Sequence, residues 1–305
     1  MRVYSADEVH AALPWPPLAR ALEAAFVAGA EAPVRHAHAL SEQDTLLLMP
    51  AWNPQVIVLK LVTVIPGAAA TVRAAVLVCD RRSGEALAVL DGEALTLRRT
   101  AATSALAAQR LARADARTLL VVGSGRLAGW MARAHAALRP GLQRVLVWGR
   151  RAAPAQALAQ ALAAQGLPAG ATDDLEGATR GADIVCCATT STEPLVRGAW
   201  LAPGAHLDLV GGFKPDMREV DDDAVARSRI VVDTYAGALK EAGDLVQPLQ
   251  RGVITREQVA AELAELLRGL HPGRLGPSDI TLFKSVGTAV EDLAAAQLVV
   301  CPRRR

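Results

Sequence analysis

Residues Thr118-Leu-Leu-Val-Val122, followed by Gly123-Ser-Gly-Arg-Leu-Ala-Gly129, decide the fold. An apolar, β-branched run stops at glycines, and an Ala-rich helical pattern, Trp130 to Leu138, takes over. Strand, G-x-G-x-x-A turn and helix in that order are the means by which doubly wound sheets hold a dinucleotide pyrophosphate. Gly123 supplies the tight turn, Gly125 lets backbone N–H groups approach phosphate, and Ala128 lets the helix pack close to the strand. The helix N-terminus then faces the negative charge. The competing explanation is a glycine turn in some other doubly wound sheet.

Downstream, the pattern alternates strand and helix. Strands are predicted at Arg144 to Trp148, Ile184 to Ala188, His206 to Val210 and Arg229 to Asp233, with a helix at Pro154 to Gln165. They make a parallel sheet, and Gly211-Gly212 closes one strand at the edge where ligands bind. Glu257 to Leu270 reads as an amphipathic helix, Pro272 to Pro277 as a turn-rich loop, and Thr281 to Val300 as a long last helix.

Upstream, Ser5 and Glu8 form a capping box, and a second helix, Leu18 to Ala28, ends at Gly29. Thr45 to Met49, Gln55 to Ile65, Val72 to Asp80 and Glu85 to Leu90 read as strands of an antiparallel meander. Thr96 is expected to cap a helix from Leu97 to about Ala112, which puts Arg98 and Arg99 in its first turn. Cations there oppose the helix dipole by about 0.3–1 kcal/mol each. Either an anion binds to them, or they pair with Asp91 or Glu93.

The 305 residues are too many for one comfortable core and suggest two domains. The composition is 51% apolar, rich in alanine and 3% aromatic, which is that of a helix-rich globular chain. A net charge of +2 gives no electrostatic case for nucleic acid or membrane binding, and Arg303-Arg304-Arg305 reads as a solvated tail. Cys79, Cys186, Cys187 and Cys301 show no metal-ligand spacing, and the histidines form no H-x-x-x-H pair. No metal site is therefore expected. No G-x-S-x-G supports a serine hydrolase. No signal segment opens the sequence, so a soluble, reduced, cytoplasmic protein is expected.

Three positions carry a chemical signal of their own. Trp148-Gly-Arg150-Arg151 ends the second Rossmann strand, where an NAD enzyme usually places an acid for the ribose 2′-hydroxyl. A guanidinium suits a 2′-phosphate, so NADP(H) is preferred with NAD(H) possible, unless Arg150 only caps its loop. Lys60 interrupts an apolar strand in a chain with four lysines and twenty-nine arginines. Its half-buried ammonium needs a partner, either a substrate carboxylate or imine, or a salt bridge with Glu85 or Asp91. Arg35 lies between apolar residues and His36-x-His38, and by itself reads as a surface arginine.

The run Leu90-Asp-Gly-Glu-Ala-Leu-Thr-Leu-Arg-Arg-Thr-Ala-Ala-Thr-Ser-Ala-Leu-Ala107 resembles the signature of the ornithine cyclodeaminase/mu-crystallin family. So do Lys60 with Pro66-Gly67, the Gly123-x-Gly125 turn, and Asp279-Ile-Thr-Leu-Phe-Lys-Ser-Val-Gly287. The resemblance implies an α/β fold: a Rossmann domain, here 116–287, joined to an α+β substrate domain with an antiparallel sheet. That second domain would comprise 1–115 completed by a helix over 288–305, and two of them would dimerise through their sheets. The resemblance also implies that Arg35, Lys60 and Arg99 hold a substrate carboxylate, with Thr71 and Phe213 near the substrate. The implied cofactor contacts are Gly123, Ser124, Gly125, Arg126, Leu127, Ala128, Arg150, Arg151, Thr100, Ala188, Thr189 and Gly211.

Two departures bear on activity. Ornithine cyclodeaminases place an aspartate after the strand ending at Gly211-Gly212, whereas this chain has Phe213; they also carry an acid where Arg150 stands. Both changes resemble the family's NADPH-dependent cyclic ketimine reductases. The expected function is reduction of a small cyclic imino acid, Δ1-pyrroline-2-carboxylate or Δ1-piperideine-2-carboxylate. The rival readings are ornithine cyclodeaminase, with Asp216 replacing the missing acid, and a cofactor-binding protein without turnover. The expected pocket is basic, with no acidic group on hand to strip ammonia.

Overall fold

The computed structural model describes residues 1–301, so the expected arginine tail and the end of the expected 288–305 helix lie outside the described residues. Two compact units are present: Met1–Thr103 together with the chain from Gly287 onward, and Ser104–Val286. Both are built on sheets, one antiparallel but for an edge strand and one wholly parallel.

The first unit begins with β1 (Arg2–Tyr4), α1 (Ala6–Ala12) and α2 (Trp15–Ala28). Five strands follow, β2 (His36–Ala39), β3 (Thr45–Trp52), β4 (Val56–Val64), β5 (Val72–Asp80) and β6 (Ala86–Asp91). They form the expected antiparallel meander, in the order β1-β6-β5-β4-β3-β2. β1 was not foreseen: three residues give no readable period, and its parallel pairing with β6 makes the sheet mixed. Alternation sends Met49, Ala51, Val56, Val58, Val76, Val78, Ala88 and Leu90 to one buried face. The C-terminal helix, Ala289–Val300, lies against β3, β4 and β5 on that face. Lys60 occupies the same face, in the row Met49–Lys60–Val76–Leu90.

Helix α3 runs from Gly92 to Leu111, not from Leu97. Asp91 supplies the cap, its Oδ1 accepting from the Ala94 N–H at 2.8 Å, while the Thr96 hydroxyl donates to the Gly92 carbonyl within the helix. Gly92 is required by packing, since a Cβ there would lie 2.6 Å from the Ala74 carbonyl carbon. Arg98 and Arg99 therefore fall beyond the first turn, and the dipole mismatch lapses.

The second unit carries eight parallel strands, β7 (Thr118–Val122), β8 (Arg144–Trp148), β9 (Ala169–Ala171), β10 (Ile184–Cys187), β11 (His206–Leu209), β12 (Ser228–Val232), β13 (Val259–Glu262) and β14 (Ile280–Lys284). Their order is β13-β12-β14-β11-β10-β7-β8-β9, so β9-β8-β7-β10-β11 reproduces the 3-2-1-4-5 order of a Rossmann sheet. The helices are α4 (Ala128–Leu138), α5 (Ala152–Ala163), α6 (Leu175–Arg180), α7 (Asp222–Ala226), α8 (Tyr235–Glu241), α9 (Gly243–Gln250) and α10 (Leu263–Leu267).

Two helix expectations fail here. Within Glu257 to Leu270 the chain instead pairs as β13 alongside β12, with a 3-10 turn at Arg256–Gln258 before it and α-helix at Leu263–Leu267 after it. Ile280 to Lys284 is a central strand between β11 and β12, and the last helix starts only at Ala289, after Gly287 at φ 83°. Ile280 to Lys284, buried on both faces, has no period to tell it from a helix, while at Val259 to Glu262 sheet pairing overrides helix propensity.

Candidate active site

In the first unit, three chain segments bring the predicted cations together. β4 carries Lys60, α3 carries Arg99, and Arg35 immediately precedes β2. Lys60 Nζ lies 2.8 Å from Asp292 Oδ2, and neither side chain has appreciable exposure. Arg99 Nε reaches Asp292 Oδ1 at 3.0 Å and its Nη1 reaches Glu291 Oε2 at 2.6 Å. Arg35 Nη2 donates to the Gly287 carbonyl at 2.7 Å. Gly287 also touches the other guanidinium, since a Cβ there would lie 2.7 Å from Arg99 Nη1.

Glu291 and Asp292 bring two carboxylates into a site expected to be basic, with no acidic group on hand to strip ammonia, and both are ion-paired. Neither was singled out in the sequence, although Thr288-x-x-Glu291 is a capping box, and Glu291 Oε1 accepts from the Thr288 N–H at 3.2 Å. The partner of Lys60 is thus Asp292, not Glu85 or Asp91. Both carboxylates are tied to cations, in a buried cluster that gathers three cations around two carboxylates. Burial lowers the pKa of Lys60 to about 8, Asp292 opposing and Arg99 reinforcing the shift. Burial would raise the Asp292 carboxyl, but Lys60 and Arg99 hold it below the usual carboxylate range.

Not every residue expected near the substrate joins this cluster. Arg98 is buried over the Trp15 ring and donates to the Leu13 carbonyl, so it is structural, while Arg99 is held by Glu291 and Asp292. Thr71 is exposed before β5 and shares no hydrogen bond with the three cations. Thr100 is buried beside Arg99 on α3, in the first unit. Phe213 is 42% exposed in the second unit, and Asp216 is exposed in the same loop.

The second unit shapes the glycine turn as a dinucleotide needs. Gly123 has φ 127°, and a Cβ there would lie 2.6 Å from the Ala188 carbonyl oxygen. A Cβ on Gly125 would meet open space, so this glycine keeps a surface clear. α4 starts at Ala128 with no side-chain cap from Leu127, which leaves its N-terminus suited to an anion. Ser124 borders the end of β8, where a Cβ on Gly149 would lie 2.9 Å from its hydroxyl. Arg126 is exposed in the turn, and Arg150 and Arg151 are exposed after β8. Arg150 makes no hydrogen bond among the described residues, so it caps nothing there. Ala188, Thr189 and Gly211 follow β10 and β11 at the same edge of the sheet. These residues fit a nicotinamide dinucleotide.

A family model for the ornithine cyclodeaminase/mu-crystallin family matches residues 2–301. The chain belongs to this family. The Δ1-pyrroline-2-carboxylate reductase of Colwellia psychrerythraea is 34% identical over 312 residues, covering 98% of each chain. The solved Δ1-pyrroline-2-carboxylate reductase of Thermococcus litoralis, in complex with NADH and L-proline, superposes with a TM-score of 0.93 at 31% identity. It covers 98% of this chain and 96% of its own. An archaeal alanine dehydrogenase dimer with bound NAD gives a TM-score of 0.92 at 28% identity, covering 98% of this chain and 95% of its own.

Elsewhere in the second unit, the fold gathers groups whose sequence spacing gave no metal signal. His135, Cys186 and Asp208 are buried with ligand atoms within 4.8 Å of one another. His135 Nε2 already pairs with Asp208 Oδ2 at 2.8 Å, and burial holds the Cys186 thiol well above its ordinary pKa.

Proposed function

We propose that this protein is an NAD(P)H-dependent reductase of small cyclic imino acids, taking Δ1-pyrroline-2-carboxylate or Δ1-piperideine-2-carboxylate to the cyclic amino acid. The observation that carries this reading is the convergence of Arg35, Lys60 and Arg99 in one cluster held around Asp292, Glu291 and the Gly287 carbonyl. Three cationic side chains so close together suit a monocarboxylate ligand. A nicotinamide dinucleotide, when bound, would supply the hydride that the imine carbon accepts.

In this reading Arg35 and Arg99 orient the carboxylate, and the Lys60 ammonium completes the clamp. Asp292 fixes where Lys60 and Arg99 point. Hydride transfer depends on holding the substrate in one orientation, and a clamped carboxylate is the part of that task these residues can perform. The reacting imine is already cationic, so little acid–base work remains. Deamination of ornithine needs a base for the amine protons; Phe213 supplies none, and Asp292 and Glu291 are already tied to Lys60 and Arg99. Arg150, exposed after β8, supports NADP(H) over NAD(H).

The protein is further proposed to work as a homodimer through the outer face of its first sheet. Pro50, Leu59, Leu77 and Val89 form one row across that face, and Leu48, Leu61 and Ala75 a second. Leu61 is 39% exposed, and an apolar sheet face of this kind marks an interaction surface.

The activity is tested by assaying purified protein with pyrroline-2-carboxylate and NADPH or NADH, then with ornithine and NAD+. Reduced-nicotinamide oxidation in the first assay, with no ammonia in the second, is expected. Ammonia from ornithine without imine turnover overturns the reading in favour of the cyclodeaminase.

A further inference from the structure

Behind the carboxyl ends of β10 and β11 lies a buried ionic group that the proposed reaction does not use. Glu219 has no exposed surface. Its Oε1 accepts from the Thr189 N–H at 2.8 Å and from the Thr189 hydroxyl at 2.9 Å, and its Oε2 accepts from the Gly211 N–H at 2.7 Å. One carboxylate thus ties the loop after β10 to the loop after β11. Asp244 on α9 fixes Glu219 in turn, accepting from the Glu219 N–H at 2.7 Å and from Lys284 Nζ on β14 at 3.0 Å. The fit is tight: a Cβ on Gly211 would run into Glu219 and Thr189, and one on Gly212 would lie 2.5 Å from Asp244 Oδ2.

In an open α/β sheet, ligands bind outside these strand ends, around the point where strand order reverses. We propose that Glu219 is a positioning residue for the dinucleotide: ionised, it holds the 189 and 211 loops in their binding form, and its protonation releases them. The inference rests on the reading that the second unit binds a nicotinamide dinucleotide. An ionised carboxylate accepts all three as charge-assisted hydrogen bonds; protonation removes the charge and weakens the hold on both loops.

The groups facing Glu219 set where the change occurs. Burial raises its pKa to about 7, with Lys284 opposing, Asp244 reinforcing, and the Thr189 bonds opposing. Cys186 and Cys187 on β10 also feel its charge, and burial keeps both thiols protonated. Arg218, the neighbouring residue, is turned to Asp222 and the Val220 carbonyl.

The test is NADH affinity as a function of pH, with NADH chosen because it lacks a phosphate monoester titrating near pH 6. If only the ionised form binds and the pKa is about 7, the dissociation constant rises about tenfold from pH 8 to pH 6. Glu219→Gln, which mimics the protonated acid, is expected to bind weakly at both pH values with no slope. Calorimetry of the unaltered protein in two buffers of different ionisation enthalpy reads the same linkage without a variant, as proton release on binding near pH 7. A pH-independent dissociation constant with no proton release overturns the role of Glu219 and leaves the dinucleotide reading intact. Failure to bind either NADH or NADPH at any pH overturns both.

Discussion

Asp292, in the first turn of the C-terminal helix, grips Lys60 at 2.8 Å and Arg99 at 3.0 Å from a position with no exposed surface. The two cations come from β4 and α3, some forty residues apart in sequence, and the carboxylate comes from the other end of the chain. Removing one partner from a buried ionic cluster costs about 3–5 kcal/mol, because the remaining charges lose their compensation. Asp292→Ala is expected to lower unfolding free energy by that amount in urea titration.

The same cluster fixes a pH dependence. Lys60 binds a carboxylate only as the ammonium, so KM for the imino acid is expected to rise above about pH 8. Asp292→Asn removes the charge that supports the ammonium, and the alkaline limb should move to lower pH. Stability has its own sign: between about 8 and 10.5 the folded state has released the Lys60 proton and the unfolded state retains it. Unfolding free energy from this group therefore increases with pH across that window.

Gly123→Ala tests the glycine turn. At φ 127° a side chain is strained by about 1–3 kcal/mol, and its Cβ meets the Ala188 carbonyl oxygen at 2.6 Å. Reduced-dinucleotide fluorescence should show binding lost, while L-proline binding in the first unit persists.

Arg150→Ala tests cofactor choice. A charge-assisted bond to a 2′-phosphate is worth about 1.5–3 kcal/mol, so NADPH affinity should fall about 10- to 100-fold. NADH affinity should stay within twofold of roughly its starting value, since no 2′-phosphate is present.

The outer sheet face predicts that Leu59→Glu or Leu77→Glu converts a dimer to a monomer in sedimentation equilibrium. A charge in the centre of the Pro50–Leu59–Leu77–Val89 row cannot be buried against a second copy without a large desolvation cost.

Much of this arrangement is legible in the sequence because its signals are local. The turn at Gly123, the strands β3 to β8 and the lone Lys60 each stand out within a dozen residues. The carboxylates of the site are not legible in the same way. Glu291 and Asp292 look like ordinary acids favouring a helix N-terminus, and only the fold brings them to Lys60 and Arg99. β14 was hidden for a related reason, since Ile280 to Lys284 is buried on both faces and shows no alternation. Arg98 and Arg99 were misplaced by one missed cap: Asp91, not Thr96, starts α3.

The central claim is that Arg35, Lys60 and Arg99 recognise a carboxylate on a small cyclic amine. Inhibition of pyrroline-2-carboxylate reduction by L-proline and by L-prolinamide isolates that group, because the two share ring and amine. The account predicts that L-proline inhibits at least about 100-fold more strongly, from a charge-assisted clamp worth about 3 kcal/mol, and that Arg99→Met abolishes the difference. Equal inhibition by acid and amide would contradict it.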